Sequence, residues 1–121
     1  MKEKYPIFVK WTEILDWLLL TVETFPRSAR FTMATKVANL GIEIMDQIID
    51  AIYTKKRAYI LRKINLKIEK LRIFLRISMR RHYITMKQYE FIMGELREAG
   101  RMIGGWLKVE ANRKSDKSIP G

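Results

Sequence analysis

Cysteine is absent from this 121-residue chain. Disulfides and thiolate-bound metals are therefore excluded, and a reducing cytoplasm is the expected setting. Proline and glycine are scarce, with three and six residues. That is too few breakers to punctuate the short strands of an all-β domain. Long apolar runs are missing as well. The most apolar N-terminal stretch, residues 11–22, is interrupted by Glu13 and Asp16. It falls short of the roughly 20 apolar residues that cross a bilayer. No small-residue cleavage site follows it, so neither a leader nor a membrane span is expected.

Catalytic groups are equally thin. The one histidine, His82, falls at an expected helix end among basic residues, where it fits a C-terminal cap better than a catalyst. Glu95 and Glu98 have Arg97 and Arg101 beside them, which reads as a solvated, ion-paired face. Gly100, Gly104 and Gly105 follow no strand, so they do not form a nucleotide loop. Their spacing points instead to close helix packing. No enzyme activity, cofactor, metal or small-molecule substrate is expected.

What the chain has is positive charge, +11 at pH 7. Residues 1–54 hold six Lys/Arg and seven Asp/Glu, whereas residues 55–121 hold eighteen and six. The whole excess lies in the second half. Solubility does not require such segregation, while a polyanion partner does.

Helical periodicity predicts four segments. The first spans residues 6–23, opening on Pro6, with Phe8, Trp11, Leu15, Leu18, Leu19 and Val22 inward. Phe25-Pro26 ends it. The second spans residues 28–54 with Ser28 as N-cap. Its buried side is Ala34, Val37, Ala38, Gly41, Met45, Ile48, Ile49 and Ile52. The third spans residues 56–81. The fourth opens at Thr85, where Thr85 and Gln88 have capping-box spacing, and buries Tyr89, Ile92, Met93, Leu96, Ile103, Trp106 and Leu107. Short connections between long helices predict an all-α, antiparallel up-down-up-down four-helix bundle over residues 1–111. Residues 112–121 are polar and are expected to be a disordered tail.

The third helix carries the informative pattern. At about 100° per residue, Ile60, Leu61, Ile64, Ile68, Leu71 and Leu75 gather on one side, as a core stripe should. Tyr59, Leu66, Ile73 and Ile77 gather opposite, where a monomeric bundle should be polar. This second stripe predicts a contact with another subunit or protein. Coverage by a chain terminus is the alternative. Between the stripes run two basic flanks, Arg62, Arg72, Arg76 and Arg80 on one side and Lys63, Lys67, Lys70 and Arg81 on the other. Like charges four residues apart destabilise a helix by a few tenths of a kcal/mol per pair, roughly. An anionic partner would relieve them. RNA or DNA, held through its phosphates, fits better than a membrane, which favours a terminal amphipathic helix. An acidic protein partner is the other candidate, and a nuclease-like enzyme a third that lacks the residues for it.

Several stretches carry a family resemblance: Arg30-Phe31-Thr32-Met33-Ala34, Leu71-Arg72-Ile73-Phe74-Leu75-Arg76, Gln88-Tyr89, and the run from Gly100 through Gly104-Gly105-Trp106-Leu107 to Lys108. Together they make the chain resemble the accessory variability determinant family of diversity-generating retroelements. The same four-helix family includes proteins encoded in intervening sequences of 23S rRNA genes. The resemblance implies a pentameric, positively charged barrel of four-helix bundles. It also implies association with a reverse transcriptase and its template RNA, in a complex that makes mutagenised cDNA. The accessory subunit itself is not the polymerase.

Overall fold

The computed structural model describes residues 5–118, with side chains through residue 113. Four long helices follow in order: α1 (Pro6–Val22), α2 (Thr35–Tyr53), α3 (Arg57–Arg80) and α4 (Met86–Ser118). No strand occurs among the described residues. Each helix packs on the next in sequence, and α1 also packs on α4, closing an antiparallel square. The diagonal pairs are α1 with α3 and α2 with α4. No described helix is long and apolar enough to cross a membrane.

Local chemistry sets the helix ends. Thr85 and Gln88 form the expected capping box. The Thr85 N–H donates to Gln88 Oε1 at 2.8 Å, and the Gln88 N–H donates to Thr85 Oγ1 at 3.0 Å. Two otherwise orphaned donors are thereby satisfied. His82 does cap α3, but through its backbone. It takes φ 63°, and its N–H donates to the Met79 carbonyl while that of Tyr83 donates to Ser78. This is the Schellman arrangement, with histidine in the left-handed position that usually belongs to glycine.

Ser28 is not the N-cap of a long second helix. After Pro26 the chain makes a 3-10 turn (Arg27–Ala29) and a π turn (Arg30–Ala34) before α2 begins. The Thr35 hydroxyl donates to the carbonyl of Arg30, five residues back, at 2.7 Å, which suits the wider turn.

The core is one cluster drawn from all four helices. In α1 it is Ile7, Trp11, Ile14, Leu18 and Thr21 that are buried. Phe8, Leu15 and Val22, expected inward, are half-buried, and Leu19 is exposed. The reason is that α1 is apolar on several sides, so periodicity fits more than one register. Packing on α2 decides between them. Trp11 is fully buried, and its indole N–H donates to the Gly41 carbonyl at 2.9 Å. A Cβ on Gly41 would lie 3.0 Å from terminal carbons of both Leu15 and Leu18. The glycine is what lets α1 come this close.

The glycines of α4 behave differently. A Cβ on Gly94, Gly100, Gly104 or Gly105 would meet nothing within 4 Å. The close packing expected at Gly100 and Gly104 therefore does not occur among the described residues.

Helix α4 also outruns its expected end. It continues to Ser118, through most of the segment expected to be a disordered tail, and residues 119–121 lie outside the described residues. Three features account for this. Ala111, Arg113, Lys114 and Lys117 are good helix formers. The Glu110 carboxylate bridges Arg113 at 3.5 Å and Arg57 of α3 at 3.4 Å. The first breaker after Gly105 is Pro120.

Candidate nucleic-acid interface on helix α3

Helix α3 presents three faces. Leu61, Ile64, Ile68, Leu71, Leu75 and Ser78 are buried, with Ile60 packed against them. The Ser78 hydroxyl is satisfied by the Phe74 carbonyl at 2.8 Å. Opposite the core, the second stripe is open to solvent, with Tyr59 61%, Leu66 58%, Ile73 52% and Ile77 36% exposed. No terminus among the described residues covers it.

The eight basic residues line its two sides as expected, though not all are free. Lys67 is half-buried and reaches Glu43 of α2 at 3.7 Å. Arg72 reaches Glu69, three residues back, at 3.7 Å. Ion pairs this long and this wet are worth about 0–1 kcal/mol, so both cations remain available to a stronger anion. Arg81 donates to the Tyr83 hydroxyl at 2.9 Å. Lys63 lies over the Tyr59 ring, 4.5 Å from its centroid. Arg62, Lys70, Arg76 and Arg80 have no carboxylate partner among the described residues. The result is a basic surface along α3, split by an apolar spine.

A second basic feature escaped the periodicity reading. At the turn between α2 and α3, an open groove of about 770 Å³ is lined by Lys55, Lys56, Tyr59 and Arg62, with Arg113 arriving from α4. Arg57 also lines it and is tied down by several bonds. Its guanidinium donates to the carbonyls of Ala51 at 2.9 Å, Thr54 at 3.1 Å and Ile52 at 3.1 Å. It thus caps the C-terminus of α2, whose last carbonyls would otherwise lack partners. The run Lys55-Lys56-Arg57 was visible in the sequence. Arg113 reaches it only because α4 continues past the residues where its apolar stripe fades.

Residues 5–110 match the bAvd-like family. The chain belongs to that family. No curated protein matches it. Among solved structures, the bAvd-like chain is similar to a protein of unknown function from the S23 ribosomal protein family of Bacteroides thetaiotaomicron. The TM-score is 0.79 at 20% identity, covering 89% of this chain and 99% of that one. At that identity the likeness establishes the shared fold. Within the bAvd-like chain, no three or more His, Cys, Asp or Glu side chains gather to hold a metal among the described residues. Of the possible acid pair on α4, Glu98 is on the ion-paired face expected, whereas Glu95 is half-buried and finds its cation on another helix instead of at Arg97. Glu95 accepts from Lys10 of α1 at 3.0 Å through both oxygens, and Glu98 pairs with Arg101 at 3.2 Å.

Proposed function

We propose that this bAvd-like protein is a non-enzymatic, self-assembling accessory subunit that binds nucleic acid through α3. On this reading it joins a reverse transcriptase in the mutagenic cDNA synthesis of a diversity-generating retroelement. The observation that carries the reading is the arrangement on α3, where two rows of cations, six of the eight without an acid partner among the described residues, flank an exposed apolar spine. The cations hold phosphates, and the spine of Leu66, Ile73 and Ile77 meets another copy. The reverse transcriptase and the pentameric count come from family membership. A cytoplasmic location goes with them.

Charge reversal tests the nucleic-acid arm. Arg72→Glu/Arg76→Glu/Arg80→Glu is expected to weaken RNA or DNA binding on the order of a hundredfold, with the helical signal unchanged. The wild-type affinity should fall steeply with salt, with a log–log slope of about −0.7 to −0.9 for each phosphate contacted. Binding unchanged in the triple variant would refute the α3 assignment. Weak binding without salt or length dependence would favour an acidic protein as the partner. The shared S23 fold keeps one other reading in view, a bundle encoded within a 23S rRNA gene. The neighbouring genes discriminate, because a reverse transcriptase with a near-identical repeat pair belongs only to the retroelement.

A further inference from the structure

We propose that the groove at the α2–α3 turn binds single-stranded nucleic acid, with Tyr59 as a platform on which a base stacks. The proposal rests on the nucleic-acid reading above and locates a second, chemically different contact within it. Three observations combine. The groove is electropositive because Glu110, the one carboxylate lining it among the described residues, is already bridged by Arg57 and Arg113. Lys55, Lys56 and Arg62 line the same groove and have no carboxylate partner among the described residues. Tyr59 lies among these cations, with Lys63 over one face of its ring and 61% of its surface still exposed, and at about 770 Å³ the groove is in the size range that accommodates a nucleotide-sized ligand.

The tyrosine decides which polyanion fits. Cations alone serve duplex and single strand alike, since both offer phosphates. An exposed ring gains nothing from a duplex, whose base faces are already stacked on each other. A single strand offers free base faces, and a basic groove with an aromatic platform is the combination that holds them. This separates Tyr59 from Leu66, Ile73 and Ile77, with which it shares a helix face. Those three are aliphatic, whereas Tyr59 lines the groove.

The test uses the full chain and two probes, a fluorescein-labelled RNA oligonucleotide and the same strand annealed to its complement, with a DNA version of each. Anisotropy is read at one salt concentration for wild type, Tyr59→Ala and Tyr59→Phe. Tyr59→Ala is expected to lose on the order of tenfold in single-strand affinity, roughly the worth of one base–aromatic stack. Its duplex affinity should be unchanged, and Tyr59→Phe should behave as wild type on both. Circular dichroism and light scattering should match wild type for both variants, as an exposed side chain allows. Single-strand affinity unchanged in Tyr59→Ala overturns the proposal and leaves the α3 reading standing. So does a wild type that binds only duplex. A fall in mass for Tyr59→Ala reassigns the residue to the subunit interface and also overturns it. A wild type that binds neither probe takes down both readings.

Discussion

Helices α1 and α3 stand diagonally across the bundle, each packed between α2 and α4, so their outer faces look in opposite directions. Both expose aliphatic side chains that a solitary bundle has no use for. On α1 these are Val9 and Leu20, 44% and 67% exposed, and on α3 they are Leu66 and Ile73. The charges around them are opposite. Glu13 and Asp16 lie beside the α1 pair, with Glu23 just beyond the helix, whereas α3 has Lys and Arg on both sides. For the self-assembly proposed above, the difference constrains which faces can meet. Two copies of the α3 face brought together would set cation rows against cation rows, which is unfavourable in a desolvated contact. The α3 face against an α1 face of another copy pairs apolar with apolar and positive with negative. An arrangement of that kind is head-to-tail, and head-to-tail contacts build rings or filaments. The comparison also separates two properties of α3. On the proposed reading, its spine meets another copy and its flanks hold the polyanion.

The largest effect is expected where the apolar half of the contrast is broken. Ile73→Glu places a carboxylate in the middle of the spine without touching the core. The protein should stay helical and fall to the mass of one chain, 14.4 kDa, in light scattering at micromolar concentration. A wild type that is already monomeric there removes the interface claim. The next largest effect comes from erasing the charge half. Glu13→Lys/Asp16→Lys gives α1 the sign of α3 and should weaken assembly by about tenfold, the worth of roughly 1.4 kcal/mol in an association constant. The effect should shrink as salt is raised. If assembly is indifferent to this swap, α1 is not the surface that α3 meets.

How much of this was legible beforehand follows from the range of each interaction. The four helices and the cap at Thr85 are local, set by periodicity and by two residues three apart, and they could be read directly. So could the second stripe and the flanks of α3, because a helix wheel needs no knowledge of neighbours. The register of α1 could not. Leu15 and Ile14 compete for the core on equal terms until Trp11 finds the Gly41 carbonyl, thirty residues on in sequence. The π turn before α2 comes with a contact that periodicity does not announce, the Thr35 hydroxyl donating to a carbonyl five residues back. The groove at the α2–α3 turn was hidden for the most distant reason. It needs Arg113, Arg113 needs α4 to continue, and one support of that continuation is Glu110 reaching Arg57 across 53 residues of sequence.

The smallest effect tests whether the α3 cations serve a partner or the fold. Arg76 lies four residues from both Arg72 and Arg80, and all three are cationic. Arg76→Glu removes two like-charge pairs and creates two opposite ones, each change worth about 0.2–0.5 kcal/mol. The helix dipole takes some of this back, since a carboxylate near the C-terminal end of α3 is unfavourable by about 0.3–1 kcal/mol. The four pair changes together outweigh the dipole, so the free chain should gain about 0.7 kcal/mol and at most about 1.7 kcal/mol, a rise in Tm of roughly 3 °C and no more than about 7 °C. The same substitution should weaken nucleic-acid binding. A variant that is more stable yet binds less well means that the arginine row is held for a ligand at the expense of the helix, which is how a functional surface departs from the stability optimum. A variant that loses both stability and binding means instead that Arg76 supports the helix, and that the contrast between the two faces says less about ligands than its geometry suggests.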